Sequence, residues 1–322
     1  MQIKEVRSPE EKALYNTLAK EYGNVFNTLE WLKIFENKIR LFGIYEDDGK
    51  LIGGFFLYQD QKFGLKIYRD PPSAPCIGPF FRIEAKNPSS IASKQKEIMK
   101  LMVDTINKMR YSIVSISLNR EAIDTQPVVW RKFKVIPGYT YLLDLNKSVE
   151  DIYKAMSVER RNDVSKAIKD GLIVKQTNDF KIVKSLVLKT FSRQEMTINK
   201  YYLDKVLFEF IKKDNSFTFM TFENNKPSAV AVCIYDKNTA YYLFGGYDYG
   251  LKHHGSGTSA LWEAIKYAKS LNLKYFDFDG SMVPQIERYF RGFGGKLTPY
   301  YRINKAWLPL EIILKFFKRE LF

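Results

Sequence analysis

Two groups of residues in the second half of the chain have types and spacings that could do chemistry. The first is Lys252-His253-His254-Gly255-Ser256-Gly257-Thr258, which runs into the amphipathic stretch ALWEAIKYAKSLN. A glycine pair where a helix opens leaves backbone N–H groups and the positive end of the helix dipole facing outward, which makes an anion site. Lys252, His254, Gly255, Ser256, Gly257 and Thr258 are therefore candidate donor-binding residues. The segment lacks the GxxxxGK[ST] spacing of a Walker loop, and it lacks the third glycine and the ribose-binding acid of a dinucleotide site. A tight strand-to-helix turn would use the same two glycines without any ligand. The second group is Asp277 and Asp279 in KYFDFDG. Alternation along a strand predicts that both point to one face at its C-terminal end, where carboxylates accept a proton or orient an amine. Capping of the turn at Gly280-Ser281 is the competing role.

Several reaction classes are excluded by what else is present. The chain has only two histidines, the adjacent pair His253 and His254, so no Ser-His-Asp or Cys-His arrangement is suggested. Cys76 and Cys233 stand far apart in apolar contexts and read as buried free thiols, with neither a disulfide framework nor a metal site. Direct attack by a substrate amine on an activated acyl group fits the inventory better. That reaction needs a neutral amine, a close acyl carbon and a donor for the oxyanion.

The elements that must position these groups come in a repeated order. LFGIYEDDGKLIGGFFLYQ and FTFMTFENNKPSAVAVCIYD each read as strand, tight turn, strand. Each is followed by another strand, a helix and an apolar strand: SSIASKQKEIMKLMVDTINKM with YSIVSISL, and GTSALWEAIKYAKSLN with KYFDFDG. A duplicated α+β domain is the economical account. The apolar strand TYLLDL ends at Leu145, and Ser148 can cap a new helix, which places the boundary at about residues 147 to 150. The expected division is residues 1–147, residues 148–305 with the donor and catalytic groups, and a terminal helix over 306–322. SVEDIYKAMSVERRNDVSKAIKDG is expected to be one long helix of mixed charge.

The 322 residues carry 51 Lys and Arg against 36 Asp and Glu, a net charge of +15, which favours anionic partners. The N-terminus shows no apolar signal segment, and no apolar run is long enough to span a membrane. A cytoplasmic location follows as the expectation. In AWLPLEIILKFFKRELF, Glu311, Lys315, Lys318 and Arg319 share one stripe, and Trp307, Leu310, Ile313, Leu314, Phe317 and Leu321 cover the rest. Such a helix either lies in a bilayer interface, giving peripheral contact with the inner membrane surface, or closes the domain against a sheet.

The order strand, basic residue-x-x-Gly-x-Gly, helix, strand resembles the acyl-CoA pyrophosphate loop of the GNAT acyltransferases. ALWEAIKYAKSLNLKYFDFDGS followed by IERYFRGFGGKL is similar to the FemABX peptidoglycan-bridge aminoacyltransferases and their BioF2-like acetyltransferase relatives. FNTLEWL, APCIGPF, YTYLLDL and ERRNDVSKAIKDGL extend the resemblance over nearly the whole chain. The resemblance implies two tandem GNAT-like domains, each a mixed, mainly antiparallel sheet flanked by helices. It also implies an Arg-for-Lys exchange at Phe290-Arg291; Arg291 would then stabilise developing charge, since a guanidinium is not a base at neutral pH. Arg160, Arg193, Tyr202 and Phe290 become candidate substrate contacts. Tyr242 and Tyr247 in AYYLFGGYDYG join them, in a segment that also supplies strand positions.

The expected activity is transfer of an aminoacyl group from aminoacyl-tRNA to an amine of a peptidoglycan or other cell-envelope precursor bearing phosphate groups. An acyl-CoA donor in an ordinary GNAT reaction is the alternative, and a non-catalytic RNA- or membrane-binding GNAT-like module is the second. No tightly bound cofactor and no metal is expected in any of these readings.

Overall fold

The computed structural model describes every residue except Lys252 and Ser281. The chain divides into two compact units, residues 1–138 with 299–322, and residues 139–298. The first contains β1 (Gln2–Glu5), α1 (Pro9–Tyr22), α2 (Leu29–Leu32), β2 (Ile39–Tyr45), β3 (Leu51–Lys62), β4 (Leu65–Arg69), β5 (Phe80–Phe81), α3 (Pro88–Lys108), β6 (Ile113–Ser117) and α4 (Gln126–Trp130). Strand β7 (Lys134–Asp144) carries the chain into the second unit. There follow α5 (Val149–Ala155), α6 (Val158–Lys169), β8 (Ile173–Gln176), α7 (Phe180–Arg193), α8 (Lys200–Asp204), β9 (Ser216–Glu223), β10 (Lys226–Tyr235), β11 (Thr239–Tyr247), α9 (Gly255–Ser270), β12 (Tyr275–Asp277) and α10 (Pro284–Arg291). Strand β13 (Lys296–Ala306) returns the chain to the first unit, which ends in α11 (Leu308–Phe317).

The two units repeat one pairing scheme. In the first, β1–β2, β2–β3 and β3–β4 are antiparallel, and α3 crosses over so that β6 lies parallel to β4. In the second, β8–β9, β9–β10 and β10–β11 are antiparallel, and α9 crosses over so that β12 lies parallel to β11. This is a tandem mixed α/β architecture. Each sheet then gains a strand from a distant part of the chain: β13 runs antiparallel to β6, and β7 runs antiparallel to β12.

Local chemistry explains most element ends. Ser8 and Glu11 form a reciprocal capping box at α1, and Ser148 Oγ accepts the Asp151 N–H at α5. The hairpin turns need left-handed residues, supplied by Gly49 (φ 87°) in the first unit and by Asn224 (φ 50°) and Asn225 (φ 61°) in the second. The expected long helix from Val149 is broken. Met156 is extended, and Ser157 caps a second helix by accepting the Arg160 N–H, so α5 and α6 are separate. That break lets the Ser157 N–H reach the Gly292 carbonyl at 2.8 Å, tying α6 to the end of α10.

The second unit's core gathers Leu143, Ile152, Val164, Cys233, Leu261, Trp262, Ile265, Phe276, Phe278 and Phe293 between the sheet and helices α5, α6 and α9. Trp262 is part of that core. No helix among the described residues is long and apolar enough to cross a membrane.

Candidate functional site

The two glycines that open α9 do different work. A Cβ on Gly255 would lie 2.4 Å from the Asp163 carbonyl and 3.0 Å from the Ala167 Cβ, so this glycine is what allows α9 to pack on α6. A Cβ on Gly257 would meet nothing closer than the Tyr289 hydroxyl at 3.7 Å. That is ordinary van der Waals contact, so a small side chain would fit at Gly257 without displacing backbone. His254 sits at the cap position with no side-chain cap bond, and the first two N–H groups of α9 are taken by His253. His254 itself is exposed. His253 instead organises the turn: its Nδ1 accepts the Gly255 N–H at 3.1 Å and its carbonyl accepts the Ser256 N–H at 3.1 Å. With Nδ1 accepting, the Nε2–H is the donor to Asp170, also at 3.1 Å. Ser256 turns its side chain into the interior, and its carbonyl accepts from the Thr221 hydroxyl at 2.8 Å. Lys252 lies outside the described residues.

Tyr247 and Arg193 hold the loop that precedes the glycines. The Tyr247 hydroxyl reaches the carbonyls of Leu251 at 2.9 Å and His253 at 3.2 Å. Its ring packs edge-on against Tyr249, over which the exposed Arg193 guanidinium lies 3.7 Å from the ring centre. Tyr247→Phe removes that hydroxyl tie and should cost about 1 kcal/mol of stability while raising the donor KM several-fold. Thermal denaturation alongside steady-state kinetics checks both effects.

Arg160 is buried at 9% exposure and is the hub of the α6–α9–α10 junction. It pairs with Asp163 at 3.0 Å and Glu159 at 2.7 Å, stacks over the Tyr289 ring at 4.8 Å and donates to the Thr258 hydroxyl at 3.4 Å. The Thr258 hydroxyl in turn donates to Asp163 at 3.1 Å. Burial pushes the Asp163 carboxyl above its ordinary range against the opposing pull of Arg160, and burial takes the Tyr289 phenol up to about 12. Asp163 and Tyr289 did not stand out in the sequence. The available signal was an acid three residues after Arg160, a spacing that places the two on one helical face.

Strands β11 and β12 pair only from Thr239, Ala240 and Tyr241 to Tyr275, Phe276 and Asp277. Beyond that point β11 stays with β10, while Phe278 donates its N–H to the Tyr141 carbonyl on β7 at 3.1 Å. The parting is filled by Phe290 of α10, whose ring centre is 5.8 Å from that of Tyr242 and 5.2 Å from that of Phe278. Phe290 is therefore a buried wedge. Tyr242 is half-buried, and its hydroxyl lies over Gly245, where a Cβ would come within 2.1 Å. No hydrogen bond among the described residues occupies that hydroxyl, and burial drives its pKa well up.

The expectation that Asp277 and Asp279 share one strand face is corrected here. Strand β12 stops at Asp277, and Asp279 sits in the left-handed region at φ 55°. Asp277 is buried and spent on structure, accepting the Thr140 hydroxyl at 2.6 Å and the Asp279 N–H at 3.0 Å. Asp279 differs. Among the described residues no hydrogen bond or ion pair reaches its carboxylate. Burial, and then the neighbouring charge of Asp277, raises its pKa well above the carboxylate range. A half-buried, unpartnered carboxyl of this kind, held in an uncommon backbone conformation, is a general-base candidate.

Arg291, the last residue of α10, is largely exposed and pairs with Glu287 at 3.4 Å, which also accepts the Tyr141 hydroxyl at 2.6 Å. Its guanidinium stands at the surface beside Glu287, where charge developing outside the fold would meet it. Tyr202 is buried on α8, its ring edge-on to that of Tyr201.

Residues 202–291, which span Tyr242, the α9 glycines, Asp279 and Arg291, match the family model described as an acetyltransferase (GNAT) domain. No curated protein matches the sequence. Among solved structures, FemX is similar over 98% of this chain and 100% of its own, at TM-score 0.70 and 12% identity. L-PGS from Bacillus licheniformis is similar over 100% and 99%, at TM-score 0.56 and 13% identity. The C-terminal domain of an Agrobacterium fabrum protein described as a lysylphosphatidylglycerol synthetase is similar over 95% and 96%, at TM-score 0.59 and 10% identity. By fold, and by the match over residues 202–291, the chain is similar to acyltransferases of the GNAT class. Its architecture is of the FemABX type, two GNAT-like units in tandem.

Proposed function

We propose that the protein forms an amide by moving an aminoacyl group from aminoacyl-tRNA to an amine of a cell-envelope precursor. The observation that carries this reading is the unpartnered Asp279 carboxyl at the parting of β11 and β12, a base placed where an acyl group and an amine could meet. The FemX-like fold and the net charge of +15, which suits both tRNA and a phosphorylated acceptor, support it. The amine nitrogen attacks the ester carbonyl carbon, and the oxyanion forms against Arg291 or backbone N–H groups. The new C–N bond then stays as the C–O bond to the tRNA ribose breaks. Asp279 takes the amine proton, and the departing ribose oxygen is protonated from the same carboxyl or from water.

A specific observation favours one other reading. The start of α9, where Gly257 leaves room for a small group beside the Tyr289 hydroxyl, suits the pyrophosphate of an acyl-CoA, which would make the reaction an ordinary GNAT N-acylation. A transfer assay separates the two, with labelled aminoacyl-tRNA or labelled acetyl-CoA supplied to amine-bearing cell-wall precursors. Label moving from tRNA, and lost after RNase treatment of the donor, is the expected result. Label moving only from the thioester replaces tRNA with CoA, and transfer from neither overturns the enzymatic reading in favour of a binding module.

A further inference from the structure

Helix α11 does not close its unit by burial, because none of its residues is buried. Six large apolar side chains are exposed at this end of the chain: Trp307 at 64%, Leu308 at 68%, Ile312 at 51%, Ile313 at 52%, Phe316 at 80% and Phe317 at 79%. At 3.6 residues per turn, Leu308, Ile312, Phe316, Ile313 and Phe317 cover a continuous arc of roughly 180° with Phe316 near its middle. Leu310, Glu311 and Leu314, all half-buried, make up the inward side. Scattered surface hydrophobics need no explanation, but an unbroken half-cylinder with two phenylalanines at its most exposed points does.

The residues at the edge of the arc identify what covers it. Lys315 on the helix and Lys318 and Arg319 just past its end are exposed beside it; of the acids, Glu311 lies on the inward side and pairs with Lys315 at 3.1 Å, and Glu320 is exposed past the end. A tryptophan starts the helix, and a second exposed one, Trp130 at 57%, sits at the same end of the unit, since the next residue, Arg131, gives its carbonyl to Lys305 Nζ at 2.9 Å. Apolar arc, basic margin and tryptophans at its boundary are what an anionic lipid interface selects.

We propose that α11 is a membrane-docking element: it lies in the plane of an anionic bilayer surface with Phe316 and Phe317 in the acyl boundary and Lys315, Lys318 and Arg319 among the headgroups. This is independent of which donor the transfer reaction uses. The test is co-sedimentation with vesicles of phosphatidylcholine and phosphatidylglycerol in equal parts, against phosphatidylcholine alone. The wild-type chain should bind the mixed vesicles and release from them as salt rises. Phe316→Asp and Phe317→Asp should each weaken binding by about tenfold or more. Lys315→Gln combined with Lys318→Gln and Arg319→Gln should erase the preference for the anionic lipid. Because these side chains face outward, all variants should keep the wild-type melting temperature and the transfer rate on a water-soluble acceptor. No vesicle binding by the wild type, or undiminished binding by both Phe variants, overturns the proposal. So does a concentration-dependent dimer in sedimentation equilibrium that Phe316→Asp abolishes, which would assign the arc to a second copy of the chain.

Discussion

Substituting Gly257 by valine should reduce kcat/KM for the donor by at least about 100-fold while leaving the fold as stable as before. The reason is geometric. A Cβ at this position would make only ordinary van der Waals contact, with the Tyr289 hydroxyl at 3.7 Å, so no backbone has to move to admit it. What it fills is the cradle that a donor phosphate would occupy against the helix N–H groups. Gly257→Ala is the milder member of the pair. In a helical turn it should raise stability by roughly 0.5–1 kcal/mol, since alanine loses less backbone entropy than glycine on folding. Gly255→Ala must behave in the opposite way. Its Cβ would sit 2.4 Å from the Asp163 carbonyl, which cannot move without shifting α6, and overpacking of that kind costs about 1–3 kcal/mol. Thermal denaturation and donor KM measured on all three variants separate the roles. If Gly257→Val transfers at the wild-type rate, the α9 turn is only a turn and the donor binds elsewhere.

That contrast marks the limit of what the residues alone could say. Gly-Ser-Gly at a helix start has one meaning in sequence, and the difference between its two glycines is set by the Asp163 carbonyl, ninety-two positions earlier in the chain. Interactions closed over a few residues were legible. The Asp47-Asp48-Gly49 and Asn224-Asn225 hairpins, the Ser148 cap and the repeated order of strands and crossover helix all depend on local backbone preferences. Pairings between distant segments were not. Nothing in LLDL or YRINKA reveals that one strand completes the sheet beside β12 and the other the sheet beside β6. The same holds for Arg160. Its placement on a face with Val164 could be read from spacing, but its burial under Tyr289 and Thr258 depends on α10 and α9 arriving there. The terminal helix shows a third kind of limit. An amphipathic pattern states that one face is apolar and not whether a sheet lies against it, and here none of that face is buried.

Asp279→Asn should lower kcat by about 10²- to 10³-fold and at the same time make the protein more stable at pH 8. Both follow from one property of the site. The carboxyl is half-buried, receives no hydrogen bond among the described residues and stands beside Asp277, so the folded protein favours its protonated form and its pKa is raised. For a group whose folded pKa lies above its unfolded one, the stabilising contribution is complete below the unfolded pKa and is lost as pH rises through the folded pKa. At pH 8, well above the unfolded pKa, the wild-type fold therefore bears the cost of ionising or protonating this carboxyl, and asparagine removes that cost. Asparagine also accepts the φ of 55° at this position with little strain, so the backbone turn survives the exchange. For the reaction the same shift has the reverse sign. A base must be unprotonated, so turnover should rise with pH through the elevated pKa of Asp279, and that limb of the profile should vanish in the variant while the variant melts at higher temperature. A residue with a merely structural role would do neither: its loss would lower stability and leave the pH dependence of the remaining activity intact. Melting curves at pH 5 and pH 8, with kcat measured across the same range, put both halves of the expectation on one pair of proteins. A variant that is less stable than wild type at pH 8, or that keeps the wild-type pH limb, removes Asp279 from the chemistry and leaves the proton to water.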